Sequence, residues 1–209
     1  MLKRPAFYLD TQICTGCKTC IIACKDKHDL PAGVRWRRVV EFTGGDWDCL
    51  PDGTFSQNVF AYYISVSCNH CQDPVCVKAC PSKAMHQDDH GIVTVDPEKC
   101  VGCRYCEWVC PYSAPQFDKK LGRMTKCDFC REDLQQGTPP ACVAGCPTRA
   151  LQFGEYDQLV AEHGSDPPMI PMPPTALTEP SFVLETHRDA QLEHTRKGTI
   201  GNPEEVKDA

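Results

Sequence analysis

The chain has 209 residues, 17 of them cysteine, and a formal charge of −6. Its length fits one or two domains. Leucine, isoleucine, valine and phenylalanine make up only about a fifth of it, too little for an apolar core to hold the fold unaided. The acidic balance argues against nucleic acid as a partner, because phosphate binding calls for a basic face.

The N-terminus has Lys3 and Arg4 but no apolar run behind them, so no secretory signal of its own is expected. No later apolar stretch approaches the length of a membrane span. A chain made in the cytosol keeps its thiols reduced, and an odd cysteine count suits a closed set of disulfides poorly. Residues 6–9 read as a strand leading into a first cysteine group, Cys14, Cys17, Cys20 and Cys24, spaced C-x2-C-x2-C-x3-C. An excursion over residues 25–67 follows. Within it, 35–42 and 58–66 carry strand-forming residues joined by the turn-rich 43–53, which predicts a β-hairpin or small sheet. The basic run Arg35, Arg37 and Arg38 reads as a solvated strand face.

Three more groups come next. The second is Cys68, Cys71, Cys76 and Cys80, spaced C-x2-C-x4-C-x3-C-P. A strand is expected at 92–95, ahead of the third group, Cys100, Cys103, Cys106 and Cys110, spaced C-x2-C-x2-C-x3-C-P. The fourth is Cys127, Cys130, Cys142 and Cys146, spaced C-x2-C-x11-C-x3-C-P, and only Cys49 is left over. The flanks repeat as well. Leu9-Asp10 before Cys14-Thr15-Gly16-Cys17 matches Val95-Asp96 before Cys100-Val101-Gly102-Cys103, and Pro81-Ser82-Lys83-Ala84-Met85 matches Pro147-Thr148-Arg149-Ala150-Leu151. One ancestral unit has been duplicated, with groups two and three nested between one and four.

This spacing is the bacterial ferredoxin signature for [4Fe–4S] clusters, in which the first three cysteines bind one cluster and the fourth binds its neighbour. Zinc favours two separated C-x2-C pairs closing one tetrahedron, which groups one and three do not offer. Pro81, Pro111 and Pro147 follow at helix starts, where a missing N–H costs nothing. Crossed ligation then gives four sites. Site one is Cys14, Cys17, Cys20 and Cys146; site two is Cys68, Cys71, Cys76 and Cys110. Site three is Cys100, Cys103, Cys106 and Cys80; site four, paired with site one by elimination, is Cys127, Cys130, Cys142 and Cys24. Loaded with four [4Fe–4S] clusters, the chain would carry a charge of about −14.

From Gly164 onward, Pro167, Pro168, Pro171, Pro173, Pro174 and Pro180 forbid regular helix. A disordered tail and an arm that orders along a partner are both open, and Met169, Ile170, Met172 and Leu177 favour the arm. His70, inside group two, reads as a backbone or sulfur hydrogen-bonding residue before it reads as a proton site. His28, His86 and His90 read as ordinary loop histidines. Trp36, Trp47 and Trp108 read as packing and Cys49 as a spare thiol. No catalytic constellation is visible.

The stretches Cys14-Thr15-Gly16-Cys17-Lys18-Thr19-Cys20, Gly44-Gly45-Asp46-Trp47, Asn58-Val59-Phe60-Ala61-Tyr62-Tyr63, Ser67-Cys68-Asn69-His70-Cys71, Gly102-Cys103-Arg104-Tyr105-Cys106 and Cys110-Pro111-Tyr112 closely resemble the iron–sulfur B subunits of molybdopterin oxidoreductases, in their dimethyl sulfoxide reductase branch, over roughly residues 5–160. The resemblance implies a respiratory complex. A membrane anchor subunit oxidises menaquinol, a molybdopterin catalytic subunit reduces dimethyl sulfoxide or a related S- or N-oxide, and the B subunit relays electrons without catalysing. It places the group-three cluster toward quinol and the group-one cluster toward molybdenum. Some relatives have Trp at the position of Cys103 and carry [3Fe–4S] there; cysteine here implies [4Fe–4S]. It further implies a peripheral place on the bacterial cytoplasmic membrane, at the periplasmic face, through co-export with a twin-arginine-bearing catalytic subunit.

The expected fold is α+β, with two interlocked ferredoxin-like units, an inserted hairpin region and an extended tail. The outer unit takes residues 1–30 with 116–160, the hairpin 31–66, the inner unit 67–115 and the tail 161–209. The rivals are the same relay role in a polysulfide or thiosulfate reductase, a free polyferredoxin, and a structural zinc module.

Overall fold

A computed structural model describes residues 2–164, 169–190 and 197–207. Strand β1 (Pro5–Asp10) is buried over almost its whole length, as its run of aromatic and aliphatic residues requires of a strand covered on both faces. The loop of the first cysteine group leads into helix α1 (Thr19–Lys27). Strands β2 (Arg38–Gly44), β3 (Trp47–Cys49), β4 (Phe55–Gln57) and β5 (Phe60–Val66) follow. They form two nested antiparallel hairpins, β2 with β5 in register from Arg38↔Val66 to Gly44↔Phe60, and β3 with β4 inside it. The outer hairpin matches the sequence reading. The inner one lies where only turns were expected. Its tip is made by Asp52, whose Oδ1 accepts from the Thr54 amide at 2.9 Å and hydroxyl at 2.6 Å. Three-residue strands leave too few alternating positions to register as a pattern.

The centre of the chain is built from short pieces: α2 (Val75–Lys78), β6 (Met85–Gln87), β7 (Val93–Val95), α3 (Tyr105–Val109), β8 (Gln116–Asp118), β9 (Arg123–Thr125), α4 (Arg131–Gln135), α5 (Ala141–Ala144), β10 (Leu151–Glu155) and α6 (Tyr156–His163). Helix α1 packs on α5, and α2 packs on α3. The sequence repeats return as backbone repeats. Left-handed φ recurs at Gly16 and Gly102 (66° and 68°), at Lys18 and Arg104 (61° and 66°), and at Lys83 and Arg149 (54° and 59°). His70 and Phe129, each two residues past the first cysteine of its group, are both left-handed, and their rings stack on each other at 3.9 Å between centroids.

The tail corrects the sequence reading. It does not stand off as an arm for a partner; its described residues run back through this chain. After a 3-10 turn (Thr175–Leu177), β11 (Phe182–Glu185) adds parallel to β1, while β10 pairs with the other edge of β1 antiparallel. Strand β12 (Gly198–Ile200) adds to β2, and α7 (Glu204–Lys207) ends the described chain. The physical reason is what the tail supplies. Met169 and Ile170 are core residues, and the Ile170 carbonyl accepts from the Tyr62 hydroxyl at 2.7 Å. Asn202 bonds the backbone of Glu41 and Val39. Pro167 and Pro168 lie outside the described residues.

The fold is α+β, with five small β-sheets among the described residues. Its main core joins Phe7, Leu9, Phe42, Tyr62, Ile64, Phe129, Leu151, Met169 and Leu184 to Cys20, Cys68, Cys127, Cys142 and Cys146. The cysteines are therefore part of the interior, which offsets the shortage of aliphatic residues. Among the described residues no helix is long and apolar enough to cross a membrane. Met169 is fully buried, so Met169→Ala should cost about 2–5 kcal/mol through lost burial and the cavity left behind. The measurement is a denaturant midpoint on anaerobically purified protein. A cost below about 1 kcal/mol, outside that range, would contradict a tail integral to the core.

Candidate metal centres

Four sets of cysteines converge, each drawn from two distant runs. Cys14, Cys17, Cys20 and Cys146 line one cavity, with Leu9, Val39, Ser65 and Leu151 around them. Cys68, Cys71, Cys76 and Cys110 line a second, with Val93, Tyr112 and Thr178. Cys80, Cys100, Cys103 and Cys106 line a third, with Met85, Val95 and Met124. These hold roughly 330, 350 and 290 Å³ of empty space, mouths included. In the remaining set, burial and the charge of Cys142 push Cys24 up to about 12. Burial and Cys142 also hold Cys130 up at about 11, and burial and Cys24 raise Cys127.

Helices position these sulfurs. Residues four apart stand one above the other on a helix face, about 6 Å apart along the axis. Cys20 and Cys24 share α1 in this way, so one faces the first set and the other the last. Cys142 on α5 and Cys146 just past its end make the reciprocal link. Cys76 with Cys80, and Cys106 with Cys110, join the second and third sets through α2 and α3.

Burial is graded. Cys24, Cys127, Cys130 and Cys142 are all buried, whereas Cys17 and Cys103 are exposed. Desolvation raises the inner thiols: Cys14 to about 11, Cys71 to about 12 and Cys106 to about 12. Cys17 runs the other way, lowered by hydrogen bonding to Thr19, whose hydroxyl lies 3.4 Å from its sulfur.

The donor set fits iron–sulfur cores. Each of the three cavities is lined by four cysteines and by no carboxylate or histidine. Among the described residues no three Cys, His, Asp or Glu side chains are arranged to hold a single metal ion. A zinc tetrahedron, with sulfurs about 2.3 Å from one centre, does not suit sets this wide. Donors also address the sulfurs, as those of clusters require. The Met85 amide reaches Cys80 and the Met124 amide reaches Cys100, both at 3.4 Å. The Ser65 hydroxyl lies 3.3 Å from Cys20, and the buried Nε of Arg37, close to the first and last sets, has no hydrogen-bond partner.

Several residues differ from their sequence reading. Arg37 and Arg38 do not form a solvated face; both are buried. Arg37 immediately precedes β2 and Arg38 begins it, paired with Val66 of β5. Arg38 donates to the Tyr112 carbonyl, and Arg37 lies among Cys20, Cys24, Cys127 and Cys142. His28 is no ordinary loop residue: its Nε2 lies 3.2 Å from the Cys130 sulfur and its ring packs on Trp36. Burial lowers its pKa. No spacing rule marks it, because it meets Cys130 across the fold. Trp47 and Trp108 are not packing residues; both are exposed. His70 does bond backbone, its Nδ1 accepting from the Val93 amide at 3.0 Å, and burial keeps it neutral. Cys49 is exposed in the inner hairpin, apart from the four sets.

Residues 59–156 match the 4Fe-4S dicluster domain family. Over 205 residues the protein is 48% identical to the B subunit of the anaerobic dimethyl sulfoxide reductase of Haemophilus influenzae, covering 98% of this sequence and 100% of that one. The protein belongs to the family of anaerobic dimethyl sulfoxide reductase B subunits. The Escherichia coli B subunit is 47% identical over 206 residues, 99% of this sequence and 100% of its own. The thiosulfate reductase electron transfer subunit of Salmonella typhi is 37% identical over 150 residues, 71% of this sequence and 74% of its own. As a B subunit, the protein is an iron–sulfur electron-transfer component and not a catalytic one.

The tightness of the B-subunit loops can be tested at Gly102, which lines the third cavity. Its φ is +68°, and an added Cβ would sit 2.6 Å from the Gly122 carbonyl oxygen. Left-handed backbone costs a non-glycine residue about 1–2 kcal/mol, and the clash adds to that. Gly102→Ala should lower the iron bound after anaerobic purification while circular dichroism stays unchanged. Iron content equal to that of the parent protein would contradict a loop shaped this closely.

Proposed function

We propose that the protein holds four [4Fe–4S] clusters at the crossed cysteine sets. It relays electrons singly from a quinol-oxidising membrane anchor subunit to a molybdopterin catalytic subunit that reduces dimethyl sulfoxide or a related S- or N-oxide. The observation that carries this reading is the burial gradient. Site four is wholly buried, while sites one and three each expose one cysteine, Cys17 and Cys103. A relay needs an insulated middle and two open ends.

The order we propose for the sites follows from the contacts between them. Sites one and four share α1 and α5, and sites two and three share α2 and α3. Between the pairs, the Cys68 charge contributes to raising Cys127, and the His70–Phe129 stack lies at the same junction. The path is therefore site three, two, four, one. On this reading the paired sites make two interlocked units, residues 67–115 and residues 1–30 with 116–160, with 31–66 inserted and the described residues of 161–209 tied back to them. Bound clusters supply the one-electron redox chemistry. The residues of this chain hold each sulfur, exclude water from site four and direct amides and hydroxyls at the sulfurs.

The ends suit different neighbours. Val101, Tyr105 and Trp108 stand exposed on the loop and helix that carry Cys103, the aromatic kind of anchor that dominates interfaces. We assign that face to the membrane anchor subunit and the face around Cys17 to the catalytic subunit, at the periplasmic side of the membrane after co-export. The likeness to a thiosulfate reductase subunit suits the same relay beside another catalytic subunit, since the substrate is set there.

Anaerobically purified complex should carry about sixteen iron and sixteen sulfide attributable to this chain, as four cubanes require. A count near half of that would overturn the four-site reading. Cys103→Ser should abolish quinol-driven reduction and spare reduction driven by a dye that donates directly to the catalytic subunit. Equal loss of both activities would contradict the place of site three at the quinol end.

A further inference from the structure

Arg37 is only 1% exposed and is the largest fully buried side chain of the described residues. Its guanidinium donates from Nη1 to the Ser65 carbonyl at 3.2 Å and hydroxyl at 3.1 Å, and from Nη2 to the Ser67 hydroxyl at 3.0 Å. It lies 4.2 Å over the Phe7 ring, and its Nε has no hydrogen-bond partner. None of these partners carries a negative charge. A buried cation without a counter-charge is strongly unfavourable, so something nearby must supply one.

The surrounding groups are cysteines of two different sites. Cys20 belongs to site one, and Cys24, Cys127 and Cys142 belong to site four; the charges of all four act on Arg37. A hydrogen-bonded link makes the connection to site one specific. The Ser65 hydroxyl that accepts from Arg37 lies 3.3 Å from the Cys20 sulfur. The Arg37 backbone also lies close enough to Cys24 to offset part of the rise that burial gives that thiol. One side chain thus reaches site one through Ser65 and stands among the Cys24, Cys127 and Cys142 charges of site four. The other buried cations lie elsewhere. Lys126 donates to the carbonyls of Val93 and Cys127 and acts on Cys76 of site two. Arg38 acts on Cys110 of site two and is shared with the carbonyls of Tyr112 and Glu205.

We propose that Arg37 is a positioning residue, the shared counter-charge of sites one and four, and that it holds the reduction potentials of both clusters up together. This rests on the four-site reading. Each one-electron reduction adds one negative charge to a site and no proton. A guanidinium, which stays protonated throughout, favours the reduced form of either cluster over the oxidised one. The effect is greatest at the two sites it lies between, and it biases electrons toward the site-one end of the path.

The test is a redox titration of the assembled complex, followed by electron paramagnetic resonance, for the parent protein, Arg37→Gln and Arg37→Lys. Wild type should show four centres; fewer would overturn the four-site reading and this inference with it. With four centres in wild type, Arg37→Gln should make reduction of two centres at least tenfold less favourable, a fall of about 59 mV each, and leave the other two in place. If Arg37→Gln instead loses iron, the loss should be confined to those same two centres, and Arg37→Lys should restore them. Four centres at unaltered potentials, an equal shift of all four, or a loss that lysine does not restore would overturn the role of Arg37 and leave the four-site reading standing.

Discussion

Everything in this fold depends on the fourth cysteine of each run lying one helical turn beyond the third. It faces the next cavity and not the set that its own run begins. Cys24 sits with Cys127, Cys130 and Cys142; Cys146 sits with Cys14, Cys17 and Cys20. Two runs must therefore be folded together before either set is complete. Helix pairs α1 with α5 and α2 with α3 are the outcome, and the small sheets brace them. The β10–β1–β11 sheet ties the strand before the first run to residues 151–155, just after the last run, and to 182–185 of the tail.

The same constraint explains the thin apolar core. Cysteines occupy interior positions that aliphatic side chains would fill in another protein. Burial drives their pKa values up, so in the metal-free protein most inner thiols stay protonated at neutral pH. Ligation requires the thiolate, and metal binding therefore releases protons and contributes directly to folding. Buried cations are the complement of that arrangement. Arg37, Arg38 and Lys126 are all buried, and each lies where thiolates or cluster charge can balance it.

Much of the site was legible in the sequence because cysteine spacing is a local code. C-x2-C-x2-C-x3-C fixes a loop and a helix turn within about ten residues, and the repeats at Gly16 and Gly102, or Lys83 and Arg149, reappear as matching backbone angles. The strands at 6–9 and 58–66 were legible from their β-branched and aromatic content. What failed to show was set by long-range contact. His28 meets Cys130 across the fold, and Arg37 reads as a surface cation until Ser65 and Ser67 are placed beside it. The tail reads as an arm for a partner because Met169, Ile170, Met172 and Leu177 mark an apolar surface and not its destination; only the burial of Met169 and Ile170 and the pairing of β11 with β1 reveal where it goes.

Crossed ligation along a single path is tested most directly by iron anomalous diffraction from crystals of the loaded complex. Four iron centres are expected in this chain, in the spatial order site one, four, two, three, each against three cysteines of one run and one of another. An iron centre surrounded by Cys14, Cys17, Cys20 and Cys24, or by the four cysteines of any other single run, would contradict it.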